Sequence, residues 1–256
     1  MRQLSQQSKH SREKLYRIID YWLSIGPPSV TGSLDRHRYL IFDGTFIHRP
    51  TSLVVLMDAI DNKIINGKYG VRENSTRQIL AFFNPLLVMG LKPTSCTVDG
   101  NPQVIKVLRS LWPDIVIQRC LVHIQRQGLM WCRRNPNTAS ACRLRDIFLR
   151  VTQIRTKAER DEFLELITRW EQKYGWYIAI RREKGRVFSD LKRARSMLMK
   201  AIPDMFHYLD DPNISFTTNG LESYFSRLKE HYRQHRGLRK KKLNSYFNWY
   251  LFYKPI

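Results

Sequence analysis

Acidic residues are scarce in this 256-residue chain: 22 Asp and Glu stand against 44 Lys and Arg, a formal net charge of +22. Self-repulsion on that scale works against a compact state unless a polyanion neutralises it, which points to nucleic acid as the partner. Cysteine is scarce as well. Cys96, Cys120, Cys132 and Cys142 are too few for a disulfide scaffold and read as reduced cytosolic thiols. Long apolar runs are missing. The most apolar stretch, ILAFFNPLLVMGL, contains Asn84 and Pro85 and falls short of the ~20 residues that cross a bilayer. The opening MRQLSQQSKHSREK has no apolar export core, and neither end carries a long basic amphipathic anchor. The expectation is a soluble cytoplasmic protein with no membrane partner.

What is present suffices for a core. Hydrophobic residues make up 43% and aromatics 12%, which excludes a disordered basic tail. The length allows one large domain, or a core with an inserted module. Residues 1–36 form a polar extension with one short helical pattern, EKLYRIIDYWL, broken at Gly26-Pro27-Pro28. RYLIFDGTFI reads as a strand with Asp43 near its end. SLVVLMDAI follows, and Asp61-Asn62 turns the chain into KIINGKYGV, completing a three-stranded antiparallel meander. TRQILAFFNPLLVMGL is helical, with Pro85 predicting a kink or two pieces. TSCTVDG is a strand ending at Asp99. Asn101-Pro102 supplies an N-cap and a first-position proline for the next helix, and DIVIQRC is another strand.

That order argues for an α/β chain with a mixed sheet and flanking helices. From Leu121 to Leu209 only helical patterns occur, with 16 basic and 8 acidic residues between Arg143 and Lys200. The predicted organisation is therefore a first part of the core at 37–125, an all-helical insertion at 126–212, and C-terminal helices at 213–256.

Against this basic background a few acids stand out. Asp43 and Asp99 each follow an apolar strand and precede Gly, in IFDGT and TVDGN. Neighbouring strands would bring the two carboxylates together. Paired carboxylates need a cation, and two Mg²⁺ ions (Mn²⁺ substituting) held by such acids suit phosphoryl transfer. Glu222, in the basic stretch SFTTNGLESYFSRLKEHYRQHRGLRKKK, is the expected third ligand. Each also has a plainer reading. Asp-Gly after a strand is common turn chemistry, and Asn219 as N-cap with Glu222 three residues on forms a capping box.

YLIFDGTFI, the turn at Asp61-Asn62, TVDGNPQVIKVLRSLWPDIVIQRCLVHI and FTTNGLESYFSRLKEHYRQHRGL together resemble the DDE transposases of the Mutator superfamily, and above all their bacterial insertion-sequence relatives. The resemblance covers roughly residues 38–254. It implies a ribonuclease-H-like fold with an all-helical insertion before the last catalytic acid, and a triad of Asp43, Asp99 and Glu222 with two divalent metals. It also implies a homo-oligomer acting on double-stranded DNA, at element ends and target, near the nucleoid. The pair Cys120-x-x-His123 matches a motif of that superfamily. The favoured reading is a site-adjacent His123 with a structural Cys120. A zinc set with Cys132 and Cys142 is a weaker alternative, since spacings of 9 and 10 residues are loose.

Candidate DNA contacts are Arg119, Arg126, Asn219, Arg227, Lys229, Arg236 and the run Arg239-Lys240-Lys241-Lys242. The run is read as contacting backbone phosphate without sequence readout, while a solvated helix face accounts equally well for Arg119 and Arg126, and an N-cap role for Asn219. Trp170 and Trp176 could stack on an unpaired base, although core placement is the commoner role of such residues. Relatives carry a terminal-repeat-reading domain ahead of the first Asp. Only 42 residues precede Asp43 here, with no Cys pair and no clear two-helix unit, so the expectation is a transposase lacking that domain. Two competing expectations are a non-catalytic DNA-binding remnant that regulates transposition, and another ribonuclease-H-like nuclease.

Overall fold

Alternation of side chains along RYLIFDGTFI organises the molecule, seen here in a computed structural model that describes residues 2–28, 32–180, 186–234 and 238–253. Two helices come first, α1 (Arg2–Ser8) and α2 (Arg12–Ile25), where one helical pattern was expected. α1 buries nothing and α2 buries only Leu15. The polar RQLSQQS therefore carries no apolar stripe that could have announced it.

Strands β1 (Tyr39–His48), β2 (Thr51–Asp58) and β3 (Ile64–Val71) form the antiparallel meander, with Asn62 at φ 57° in the second turn. Helix α3 (Thr76–Val88), β4 (Ser95–Val98), α4 (Pro102–Leu111) and β5 (Val116–Arg119) follow. β4 and β5 add in parallel, giving a mixed sheet in the order β3-β2-β1-β4-β5. α3 is one continuous helix despite Pro85, which corrects the expectation of two pieces. Proline falls in its last turn, and the carbonyl left without a donor belongs to exposed Ala81, within reach of water. α4 begins as expected, with the Asn101 side chain accepting from the Gln103 N–H and Pro102 at the first position.

Because successive residues of a strand face opposite sides, Leu40 and Phe42 pack with Ile79, Phe82 and Phe83 of α3 and with Val104, Val107 and Leu108 of α4. Ile41 joins Leu53, Val55 and Met57 on the other face, beneath α10 (Asn219–Arg233) and α11 (Leu243–Tyr253). Asp43 shares that second face. Between β5 and α10 lie α5 (Leu121–Cys132), α6 (Ala139–Arg150), α7 (Lys157–Trp170), α8 (Trp176–Ile180) and α9 (Arg186–Ala201). These helices have a core of their own, in which Leu121 and Ile124 of α5 meet Leu144, Phe148, Phe163, Ile167 and Leu198. α5 approaches α6 closely because position 128 is glycine: a Cβ there would stand 2.3 Å from the Phe148 ring.

The chain returns to the sheet through Ser215 and Phe216, whose carbonyls accept from the Thr97 hydroxyl at 2.5 Å and the Leu121 N–H at 2.9 Å. At the far edge α11 packs on β3, and α2 leans on α11 through Trp22 and Trp249, whose ring centroids are 5.9 Å apart. Among the described residues no helix is long and apolar enough to cross a membrane.

Candidate metal centre

Register decides what meets at the end of the sheet. β1 and β4 are parallel neighbours with Ile41 beside Thr97; two residues further on stand Asp43, within β1, and Asp99, one residue past the end of β4. β4 stops at Val98, but β1 runs on to His48 paired only with β2. Asp43 therefore lies mid-strand, not near the strand's end as expected, just beyond the last β1–β4 pair.

Asp43 is buried, 6% exposed. Its Oδ1 accepts the Gly44 N–H at 2.8 Å and its Oδ2 accepts the Thr218 hydroxyl at 3.2 Å. Burial pushes its carboxyl up to about 7, with Asp99 adding to the rise and His123 opposing it. β5 leads straight into α5, which places His123 in the helix's first turn. Its Nε2 lies 3.3 Å from Glu222 Oε1, and its Nδ1 lies 3.4 Å from the Thr218 hydroxyl. Glu222 arrives from the first turn of α10. Arg126, three residues after His123 on the same face of α5, grips it with Nη1 on Oε1 at 2.8 Å and Nη2 on Oε2 at 2.9 Å. This pairing holds the Glu222 carboxyl below its ordinary range.

One ligand atom each from Asp43, His123 and Glu222 lies within 4.8 Å of the others. Two carboxylates and an imidazole form a donor set suited to a divalent cation. No protein-family model matches this chain, and no curated protein does.

Asp99 stands outside that group of three. Its Oδ1 accepts the Asn101 N–H at 2.8 Å in a local turn, yet its charge raises the pKa of both Asp43 and Glu73. Glu73 is an acid that the sequence reading missed. It lies two residues past β3, at the edge to which β1 and β4 also run. A Cβ on Gly44 would come 2.4 Å from its Oε1, so the Asp43-Gly44 glycine makes room for another carboxylate as much as for a substrate. Burial first, and Asp99 second, raise the Glu73 carboxyl.

Thr218 was also missed. Fully buried, its hydroxyl lies within reach of Asp43, His123 and Cys120, and its N–H points at the Cys120 sulfur at 3.4 Å. This arrangement overturns the capping box. The helix starts at Asn219 with Thr218 as N-cap, no side chain caps it, and Glu222 is committed to Arg126 and His123. Cys120 is buried as expected. Burial opposes its ionisation, but the hydrogen bond and charge of His123 outweigh that and bring the thiol below its ordinary value; the same contact raises His123 to about 9. Cys132 sits in the helical core and Cys142 is exposed. Among the described residues neither joins a metal-compatible cluster with Cys120 and His123.

The expected DNA contacts are placed unevenly. Arg119 is only 8% exposed and lies over Gly100, where a Cβ would meet its guanidinium at 1.9 Å. Its Nε has no partner and one Nη donates to the Asp99 carbonyl at 3.3 Å. It therefore supports the Asp99 turn from inside and does not present a surface charge. Asn219, Arg227, Arg239, Lys240 and Lys241 are exposed and Lys229 is half-buried. Lys242 pairs with Asp20 of α2. Arg236 lies outside the described residues.

Proposed function

We propose that this chain is a DDE transposase similar to those of the Mutator superfamily, with a ribonuclease-H-like core. Its substrate is double-stranded DNA and its reaction is strand cleavage followed by strand transfer. The observation that carries the proposal is the meeting of Asp43 and Glu222, 179 positions apart in the sequence, with His123 at one end of a sheet, on a chain of net charge +22. A strongly basic protein that gathers desolvated acids at one point has built a local exception to its own field.

Asp43 and Glu222 supply the oxygens that Mg²⁺ prefers, and Asp99, whose charge raises the Asp43 carboxyl, is the acid assigned to a second metal position in this reading. Bound there, two divalent ions would activate a nucleophile and stabilise the leaving oxygen of a phosphodiester. The protein's own groups do the rest. Thr218 holds Asp43, Cys120 and His123 in one arrangement. His123, its Nε2 beside Glu222 and its pKa raised by Cys120, Asp43 and Asp99, holds a proton at the site when no metal takes the imidazole. Exposed Arg227, Arg239, Lys240 and Lys241 hold the DNA backbone without reading sequence.

The test is Mn²⁺ and Mg²⁺ binding by calorimetry on the wild type, Asp43→Asn and Glu222→Gln. Millimolar or tighter binding lost in both variants supports a shared site and leads to cleavage assays on DNA ends. Binding indifferent to both substitutions sinks the assignment. The bidentate Arg126–Glu222 pair favours a second reading, a DNA-binding regulator without catalysis, since it occupies both oxygens of the third acid. That reading expects DNA affinity independent of metal.

A further inference from the structure

The helical insertion contains a cavity of about 500 Å³ between α6 and the segment that joins α7 to α8, within the size range of small-ligand sites. Its lining combines two features. Arg143 and Arg150 of α6 face Arg169 and Lys173 across it, with Asp146 the one acid in the lining; Arg169 also pairs with Glu165 at 2.5 Å, and the Lys173 ammonium lies 5.5 Å from the centre of the Tyr174 ring. The apolar part of the lining sets Ile147, Leu149 and Leu166 beside the rings of Trp170 and Tyr174. Trp170 is 5% exposed and fixed by donating its Nε1–H to the Ser140 carbonyl at 2.9 Å, and Tyr174 lies 6.0 Å from it, ring to ring.

The wall is a built feature. Glu171–Gly175 is a π-helical turn wedged between α7 and α8. Such turns are uncommon and recur at functional sites. A Cβ on Gly175 would come 1.7 Å from Glu171 Oε1, and Arg195 Nε holds the two Glu171 oxygens at 2.6 and 3.0 Å. Glycine and a salt bridge thus lock the turn from behind, and the turn carries Lys173 and Tyr174 to the cavity. A bare anion would account for the cations but not for the aromatic wall. An apolar molecule would account for the wall but not for the cations.

We propose that this cavity is a nucleotide site. A planar base would lie against Tyr174 and the Trp170 floor, and its phosphate among Arg150, Arg169 and Lys173. The occupant is either an unpaired nucleotide at the end of a DNA strand or a free nucleotide; both present the same chemistry. The inference rests on the nucleic-acid reading of the chain's charge and is independent of the metal centre.

Two probes test it on the full chain. Calorimetry compares dAMP with inorganic phosphate. Fluorescence anisotropy compares a duplex bearing one unpaired 3′ nucleotide with a blunt duplex of equal length. The expected result is dAMP binding where phosphate alone does not bind, a preference for the overhang of about fivefold or more, or both. Tyr174→Ala and Lys173→Glu each remove these signals while leaving blunt-duplex affinity within about twofold of the wild type. Lys173 is exposed, so its variant keeps the test alive if Tyr174→Ala fails to fold. Binding of dAMP alone assigns the site to a free nucleotide, and an overhang preference alone assigns it to a strand end. Equal affinity for phosphate and dAMP without an overhang preference overturns the proposal, as do signals that survive both substitutions or no binding by either probe. Blunt-duplex binding with neither signal removes this inference and leaves the transposase reading standing. Metal binding indifferent to Asp43→Asn and Glu222→Gln does the reverse.

Discussion

The sheet end and the helical insertion treat charge in opposite ways. At the sheet end, acids are brought together and desolvated: burial pushes the Asp43 carboxyl up to about 7 and raises that of Glu73. In the insertion, cations are gathered around aromatic rings and left accessible. The first arrangement is costly unless a cation arrives, and the second unless an anion does. The comparison teaches that the two regions are complementary: one gathers groups that would accept a cation, the other groups that would accept an anion. α5 belongs to both, with His123 and Arg126 at the sheet end and Gly128 and Cys132 in the helical core.

The largest expected break of the comparison is Glu222→Gln. DNA cleavage should fall by about a thousandfold, as when a metal-positioning or charge-stabilising group is removed. DNA affinity measured by filter binding should stay within about twofold, and equal loss of both would merge the two roles. Next comes Gly128→Ala. Although alanine favours helix, the Cβ would meet Phe148 at 2.3 Å. Overpacking should cost roughly 1–3 kcal/mol in urea unfolding, and metal affinity should drop with it because α5 also carries His123.

Asp43→Asn sharpens the contrast through pH. The folded carboxyl keeps its proton up to about 7, whereas the unfolded one releases it near 3.9. The folded state therefore binds more protons between those values, and stability falls as pH rises through that window. In metal-free protein the substitution should raise the melting temperature by several degrees at about pH 8 and change little at about pH 4; a shift of equal size at both would deny the charge penalty. A smaller effect is expected for Thr218→Val, about 1 kcal/mol for a buried hydroxyl removed from its partners, with Thr218→Ser restoring metal affinity in calorimetry. Smallest is Arg126→Gln, which frees Glu222. DNA-free Mn²⁺ affinity should rise a few-fold, and no rise would mean that the pair does not compete with metal.

Much of the sheet was legible because strands announce themselves by two-residue alternation. The run through Ile41 and Asp43 and the Asn101-Pro102 helix start were both readable one residue at a time. The meeting of Asp43 with Glu222 was inferred from strand ends and from resemblance, and the geometry brings the two together. Less was legible where a role depends on a distant partner. Thr218 and Asn219 are adjacent small polar residues, and nothing local says that Thr218 turns inward to Asp43 while Asn219 faces water. Glu73 sits in the polar turn RENS, which reads as a loop; the signal that could have found it is an acid just beyond a strand parallel to β1. The π-turn was invisible because Glu171, Gly175 and Arg195 act together only once α9 has brought Arg195 to Glu171.

One consequence of the continuous α5 is mechanical. A helix rises about 1.5 Å per residue, so from Cys132 to His123 the arm is roughly 13 Å long. With Cys132 and Gly128 clamped in the helical core, a tilt of about 5° there would swing the imidazole by about 1 Å, a misplacement on the order of what changes a reaction rate a hundredfold. Leu121 and Ile124, on either side of His123, are packed in the same core, so the insertion grips the helix at both ends and keeps the imidazole from that swing.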